Sequence, residues 1–291
     1  MEKLKIDPKL EPQQKNIMLA FLILSPVVLY LFVAFPPDAL DWRYTFYEVA
    51  KAPLRLYDNT GITYLPWAAL LLAPFKLLPY PLSLAVNSYL NLFLLALLVV
   101  KNGGRKLSLL LALTSFPMLS LIANGSVEWM PMIGFLIQGG WGVVFLLLKP
   151  QSGIFVAINW FKRTPNKIRF LAPTAVTVLA SYVIWPGWPW KLIGIFKIAK
   201  PIFDEVGYSP WPWAIPLGLF LLYLAWKKSD DLLAIAGTLC LSPYFAAHSL
   251  TIAFGLLAAR SRKWGIIAWF LLWLWPIVRN WDKFLAIVAP K

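Results

Sequence analysis

Acidic and aromatic side chains follow the first apolar run of the sequence, where a carboxylate can act on a substrate hydroxyl. No residue from Asn16 to Pro37 is charged, and the segment DWRYTFYEVAK follows at residues 41–51. Asp38, Asp41 and Glu48 have helical spacing, which predicts a short surface helix with three acids on one face. Held near a membrane, one of them can serve as a general base. The alternative is helix capping and ordinary solvation, and Asp38 fits a cap best.

The composition indicates that membrane-spanning helices position these residues. The chain is 60% hydrophobic and 14% charged, with a mean hydropathy of +0.68, far outside the range for soluble domains. Because about 20 apolar residues span a bilayer, the sequence predicts one all-α polytopic domain, residues 1–291, with roughly eight to ten transmembrane or re-entrant helices. Its excess of lysine and arginine lies in short clusters between apolar runs, which argues against a nucleic-acid partner.

The basic clusters also orient the predicted helices. If all five are cytoplasmic, an even number of crossings separates each pair. The N-terminal tail, 1–16, is then cytoplasmic, whereas the first loop at 37–61, the NGSVEW turn at 124–129, the tryptophan- and proline-rich loop at 186–211 and His248 lie on the outer side of the cell membrane. One run before the second cluster must not cross, and the proline-bounded stretch 65–79 is the natural candidate. The five clusters are at residues 3–15, 101–106, 162–169, 227–228 and 260–263.

A lysine inside an apolar stretch and the single histidine are further candidates. Lys149 costs about 2.5–3.5 kcal/mol at the bilayer centre, so it needs an anion such as a lipid phosphate, or a wet cavity. Its alternative is snorkelling to a nearby interface. His248 either contacts a donor phosphate or an acceptor, or is a buried imidazole bonded to a backbone carbonyl. Asp204 and Glu205, beside outer-side tryptophans that form either a sugar-stacking surface or a plain aromatic belt, are weaker candidates.

Several stretches, in order along the chain, resemble one known family. The stretches DWRYTFY, LYDN and YLPWAALLLAPFKLLP look like the first outer loop of the polyprenyl-phosphate-mannose-dependent mannosyltransferases of glycosyltransferase family 87, in the GT-C superfamily. ANGSVEWM, GGWGVVFLLLKPQSGIF and LCLSPYFAAHSL are similar to later elements of that family. The chain is short for the family, with Ser126 where the pattern has glutamine and Trp67 where it has a second proline.

The resemblance implies a GT-C-like bundle and an inverting glycosyltransferase. Such an enzyme moves a sugar, mannose or another hexose, from a polyprenyl-phosphate donor to a hydroxyl of a lipid, glycan or protein acceptor on the outer face, without a cofactor or an obligatory metal. It gives Asp41 the role of general base, with Lys149, His248 and Arg43 on the donor phosphate. The residues expected to line the substrates are Trp42, Tyr47, Tyr57, Tyr64, Asn124 and Glu128.

A non-catalytic membrane protein is the rival hypothesis. A lipid carrier, flippase or scaffold can use the same basic, aromatic rim to hold polyprenyl lipids. A transporter is expected to show internal repeats and charged residues within broken helices, and no convincing repeat is present in the sequence. The two hypotheses differ in one structural expectation. An enzyme requires Asp41 to face a cavity that it shares with Lys149 and His248, whereas three side chains that point to separate surfaces would exclude it.

Overall fold

Helices form the part of the chain that the structure describes. The computed structural model describes residues 12–58 and 63–281, without the side chains of 13 and 198–206. Over these ranges the protein is all-helical and has no strand, which confirms the predicted all-α class. The predicted tail at 1–16 lies mostly outside the described residues, as do 59–61 of the first loop. The α-helices are α1 Pro12–Ala34, α2 Tyr47–Lys51, α3 Ala68–Leu72, α4 Tyr80–Lys101, α5 Lys106–Leu113, α6 Phe116–Asn124, α7 Trp129–Ile137, α8 Gly139–Leu146, α9 Pro150–Arg163, α10 Lys167–Ile184, α11 Trp188–Val206, α12 Ile215–Lys228, α13 Asp231–Leu241, α14 Thr251–Arg260 and α15 Arg262–Arg279.

Three of these helices are long and apolar enough to cross a membrane. They are Gln14–Ala34 of α1, Tyr80–Lys101 and Lys167–Ile184, and α5 with α6, bent by 48° at a short break, would make a fourth. Most other apolar runs are divided into helices of 8 to 14 residues, partly because proline and glycine interrupt them. By length and composition, therefore, the described residues supply fewer spans than the eight to ten expected, and that larger number stays a prediction.

Helix α4 is the most buried of the three candidate spans. In its apolar window 61% of the residues are buried, against 6% for α1 and 11% for α10, whose apolar side chains face outward. It packs against α1, α5, α7 and α14. One face of α4 carries fully buried polar residues, which we call the polar stripe. Because buried polar groups need hydrogen-bond partners, this stripe must hold another segment of the chain. The polar stripe consists of Ser83, Asn87, Ser88 and Asn91.

The apolar run at 129–148 does not continue as one helix. It forms a hairpin of α7 and α8, which reverses at Gln138 and Gly139, both with positive φ. At about 1.5 Å per residue each arm is only about 12–14 Å long, too short to cross a hydrocarbon core of about 30 Å. Because of the reversal, the end of α8 lies close to the start of α7. Lys149, which follows α8, thereby comes next to Glu128, which precedes α7.

The first loop forms a small aromatic core of its own. Trp42 and Phe46 are buried and pack against Phe75 and Tyr64 with ring centroids 5.0 and 5.4 Å apart. Trp129 joins the same cluster of buried residues from the start of α7. This core fixes the first-loop helix against the beginning of the hairpin, so Asp41 is positioned by packed rings rather than by a flexible loop.

Two glycines allow the arms of the hairpin to touch, which yields a stability prediction. A Cβ on Gly142 would lie 2.7 Å from the carbonyl oxygen of Gly134 and 2.8 Å from the Trp160 ring. Gly142→Ala is therefore expected to lower the free energy of unfolding by about 1–3 kcal/mol, through overpacking. Gly194→Ala is the control, because a Cβ there meets no atom within 4 Å. Denaturant unfolding in detergent compares them, and equal stability of the two variants would contradict the hairpin packing.

Candidate functional site

The first-loop helix separates the three acids that the sequence groups on one face. It begins at Leu40 and contains a π-helical turn at Trp42–Phe46, which adds residues to the turn and shifts the register. Asp41 is partly withdrawn from solvent. Glu48, by contrast, is on the surface with 51% of its side chain exposed, and it accepts a hydrogen bond from Lys51 at 2.7 Å. The prediction of one shared acidic face is therefore wrong.

Asp38 lies outside this helix. It is exposed, precedes the first turn, and makes no capping hydrogen bond within the described residues, so the cap role expected for it is also wrong. Its position nevertheless gives a useful reference for Asp41. The two carboxylates belong to one short segment, but only Asp41 is partly withdrawn from solvent and interacts with a buried cation.

Four charged or ionisable residues from distant parts of the chain meet in one place, which we call the charged cluster. The Lys149 ammonium donates to Glu128 Oε1, and both side chains are almost completely buried. His248 Nε2 lies 3.9 Å from the same carboxylate oxygen. Asp41 interacts electrostatically with Lys149. The charged cluster therefore consists of Asp41, Glu128, Lys149 and His248.

Uncharged groups complete the surroundings of the charged cluster. The Ser126 hydroxyl lies 3.2 Å from His248 Nε2, and Lys149 Nζ lies 5.6 Å from the centre of the buried Tyr64 ring. Two buried polar atoms, Glu128 Oε2 and His248 Nδ1, have no hydrogen-bond partner among the described residues. Since such atoms are costly to leave unpaired, they mark positions where a polar ligand would gain hydrogen bonds.

Burial sets the basicity of Asp41. Desolvation raises the pKa of its carboxyl above the ordinary value, and the positive charge of Lys149 opposes this with a smaller effect. A carboxylate with a raised pKa is a better proton acceptor than one in water. Asp41 therefore has the local environment that general-base chemistry favours.

The polar stripe holds the turn that carries Glu128. Asn91 Oδ1 accepts from the Trp129 backbone N–H at 2.8 Å, while its amide donates to the Ser126 carbonyl at 2.9 Å. Asn87 Oδ1 accepts from the Trp129 indole at 2.9 Å. These bonds hold the backbone before and after Glu128 in place. Sequence reasoning missed Asn87 and Asn91, although two amides four residues apart in an apolar helix are a readable signal of a buried polar contact.

A largely apolar cavity of about 480 Å³ is lined by sequence neighbours of the charged cluster, but by none of its four members, so the expected cavity shared by Asp41, Lys149 and His248 is not found there. Its wall includes Pro150 and Thr63, the neighbours in sequence of Lys149 and Tyr64. Tyr244 also lines it and interacts electrostatically with Asp41 and Lys149. The volume falls within the range of about 300–1,000 Å³ typical of small-molecule sites. The remaining lining residues are Gln151, Ile154, Phe155, Phe196, Thr238, Leu241, Ser242 and Pro243.

Two residues predicted for the site lie away from it. Trp42 is fully buried and its indole donates to Ser83 Oγ at 3.2 Å, so it is a core residue and does not line a substrate site. Arg43 is exposed, with its guanidinium 5.7 Å from the centre of the Tyr80 ring. Neighbouring positions on a helix point in different directions, and Arg43 makes no contact with the charged cluster in the described structure.

Three other predicted lining residues make local structural bonds. Tyr47, Tyr57 and Asn124 are half-buried, and each donates to a backbone carbonyl oxygen, over 3.0, 3.1 and 2.7 Å respectively. These bonds tie the first loop together and close the end of α6. A helix, α11, occupies most of the loop at 186–211, but the side chains of Asp204 and Glu205 lie outside the described residues.

The buried ion pair gives a prediction about stability. Lys149→Met leaves Glu128 buried without a cation and is expected to lower the free energy of unfolding by about 3–5 kcal/mol at alkaline pH. The double variant Lys149→Met with Glu128→Leu is expected to recover most of that loss. Lys51→Met, which breaks the exposed pair with Glu48, is the control and should cost no more than about 1 kcal/mol. If the double variant lost as much free energy of unfolding as the two single variants together, the pairing would be contradicted.

Comparison of the chain with protein-family models, with curated proteins and with solved structures gives no match. The resemblance to glycosyltransferase family 87 therefore stays a prediction. Any function must be argued from the charged cluster and the apolar cavity.

Proposed function

We propose that the protein is a multi-pass membrane glycosyltransferase of the GT-C type. It transfers a sugar, mannose or another hexose, from polyprenyl phosphate to an acceptor hydroxyl on the outer face of the cell membrane. The observation that carries the proposal is the buried Lys149–Glu128 pair with His248 beside it, within electrostatic reach of the Asp41 carboxylate. The transfer needs a base for the acceptor hydroxyl and positive charge or hydrogen-bond donors for the leaving phosphate, and these residues can supply both.

In the proposed reaction Asp41 accepts the proton of the acceptor hydroxyl. The freed oxygen attacks the anomeric carbon of the donor, and the bond from that carbon to the phosphate oxygen breaks. The polyprenyl phosphate leaves with the electron pair and gains one negative charge, and the configuration at carbon is inverted. Lys149 and His248 stabilise that charge in a site with little water. Arg43 has no part in this scheme, because its guanidinium lies over Tyr80.

The cavity supplies a place for the lipid part of the donor. Its lining is largely apolar and includes Pro150, which follows Lys149 in sequence, and Tyr244, which interacts electrostatically with Lys149 and Asp41. In the proposal an isoprenoid chain occupies the cavity while the phosphate reaches Lys149. An isoprenoid phosphate is apolar along its chain and anionic at one end, which suits an apolar cavity close to a lysine.

The proposed orientation agrees with a second set of ion pairs. Arg163 contacts Asp231 at 2.7 Å, and Arg260 contacts Asp230 at 2.6 Å. Both arginines belong to clusters that the sequence predicts to be cytoplasmic. Helix α9 leads from Lys149 to Arg163 and is about 21 Å long, so the charged cluster is separated by that helix from the arginine pairs. This separation supports an outer-facing site.

A non-catalytic lipid carrier or scaffold is the second candidate, and one observation favours it. Lys149 is already paired with Glu128, so its charge is compensated within the protein. A protein that only holds lipids can use such a pair as a structural tie and needs no base at Asp41. Turnover therefore separates the two candidates.

The first prediction of the proposal concerns Asp41. Asp41→Asn keeps the size of the side chain but removes its basicity, so transfer from polyprenyl-phosphate mannose by purified protein is expected to fall about 100- to 10,000-fold. Asp38→Asn, an identical change at an exposed position of the same segment, is expected to retain full activity. Undiminished transfer by Asp41→Asn would remove this residue from the base role. Absence of transfer by the unaltered protein, across several lipid donors and acceptors, would favour the carrier.

A second prediction concerns pH. Asp41 must be ionised to accept a proton, so the transfer rate at saturating donor is expected to fall as pH decreases through the pKa of this group. Burial raises that pKa, which moves the acid limb of the profile above the ordinary value of 3.8. A pH–rate profile locates the limb. A limb at or below the ordinary value would show that the group controlling the rate is not the partly buried Asp41.

A further inference from the structure

A bound phosphate and Glu128 would compete for the same ammonium group. The charged cluster contains two carboxylates, one ammonium and an imidazole, so with a neutral imidazole its net charge is −1. Lys149 is the single cation of the charged cluster, and it already forms an ion pair with Glu128. An anionic ligand adds a further negative charge to this enclosed place. Because charges interact strongly where water is excluded, an ionised Glu128 that is paired with Lys149 weakens the attraction between the ligand and the ammonium.

We infer that Glu128 is an internal counter-ion that a lipid phosphodiester displaces from Lys149, and that Glu128 takes up one proton when it is displaced. The inference rests on the proposed function in one respect, that a lipid-linked phosphate is the ligand. It adds a role for Glu128, which the sequence assigns only to substrate lining. It also gives ligand binding a defined dependence on pH.

The geometry explains why Glu128 takes up a proton instead of turning to water. Its side chain is fully buried, and the adjoining Trp129 and Ser126 are bonded to Asn91 of the polar stripe, so the carboxylate has no route to the surface. Its Oε2 atom already lacks a partner among the described residues. A buried carboxylate without a cation is costly, and protonation removes that cost.

The surrounding groups leave Glu128 as the proton acceptor. The titratable groups that face Glu128 directly are Tyr64, Lys149 and His248, whereas Asp41 and Tyr244 interact with it through Lys149. His248 and Asp41 are the rival acceptors. His248 Nε2 is 3.9 Å from Glu128 Oε1, but its ring is buried, which disfavours the cationic form. Asp41 is only half-buried, so its carboxylate keeps access to water when a phosphate binds Lys149. Tyr64 and Tyr244 are neutral over the relevant pH range.

Uptake of one proton fixes the expected pH dependence. Where Glu128 is ionised in the free protein, affinity for the phosphodiester is expected to rise about tenfold for each unit by which pH falls. Replacing Glu128 by glutamine removes both the competing charge and the titrating group. Glu128→Gln is therefore expected to bind the ligand at least about tenfold more tightly at alkaline pH, and with no dependence on pH.

Titration calorimetry in buffers of different ionisation enthalpy tests this, because it counts the protons that accompany binding. The probe is polyprenyl-phosphate mannose without an acceptor, since a phosphodiester keeps one negative charge throughout the range. The unaltered protein and the surface control Glu48→Gln are expected to take up about one proton per ligand, whereas Glu128→Gln takes up none. His248→Gln and Asp41→Asn are each expected to retain the uptake. Its loss in either variant would assign the proton to the replaced residue and overturn the inference.

A second arm separates this inference from the proposed function. Phosphatidylglycerol in detergent micelles carries the same phosphodiester charge without a sugar. Donor binding without proton uptake would overturn the role of Glu128 and leave the transferase proposal standing. Proton-linked binding of phosphatidylglycerol alone would keep the role of Glu128 and remove the sugar donor. Failure of both lipids to bind would overturn both. Because the proton count on the unaltered protein decides the main point, poor folding of Glu128→Gln does not prevent the test.

Discussion

The contact on which the rest of this structure depends is the buried ion pair between Glu128 and Lys149. Each member alone would be a costly charge inside an apolar bundle, so the surrounding segments must bring both to one point. The α7–α8 hairpin does this by reversing at Gln138 and returning Lys149 to the start of α7. The polar stripe of α4 fixes the other side through Asn91. The packing of these segments therefore places a carboxylate beside Lys149, whose buried charge would be costly without one.

The pair also determines what the neighbouring groups can do. Asp41 is half-buried within the electrostatic reach of Lys149, and His248 is close to Glu128. A carboxylate, an ammonium and an imidazole thus share a region of low solvent exposure, and Pro150, which follows Lys149, lines an apolar cavity. In the proposed function these groups bind an anionic lipid with a reactive head group. The internal compensation of Lys149 by Glu128 explains how such a site can remain stable without its ligand.

Composition and spacing predict much of the fold class but less of the site. Long uncharged runs predict helices, and the described residues are all-helical. Residue type makes Lys149 and His248 candidates and the family resemblance selects Asp41; the structure places His248 beside the Lys149–Glu128 pair and Asp41 within electrostatic reach of Lys149. The hairpin was not predicted, because an apolar run gives the same pattern whether it crosses or turns back, and only Gln138 with the following glycines marks the reversal. The π-helical turn also has no local marker, since the aromatic core imposes it, and it separates Glu48 from Asp41.

The neighbours in sequence of Asp41 show why proximity along the chain is a poor guide to a site. Trp42 and Arg43 adjoin the carboxylate, but one is fixed in the core and the other lies over the half-buried Tyr80. Conversely, Asn91 bonds the turn that carries Glu128, although the sequence predicts its helix only as a membrane span. Side-chain direction on a helix and packing between helices decide these outcomes, and neither is encoded in short motifs.

A structure of the protein with polyprenyl-phosphate mannose bound would show whether Lys149 binds the donor phosphate. We expect the phosphate within hydrogen-bonding distance of Lys149 Nζ and Glu128 no longer in contact with that atom. The anomeric carbon is expected to face Asp41, with the lipid chain in the cavity. A donor bound elsewhere, with the Glu128–Lys149 pair intact and Asp41 remote from the sugar, would contradict this expectation.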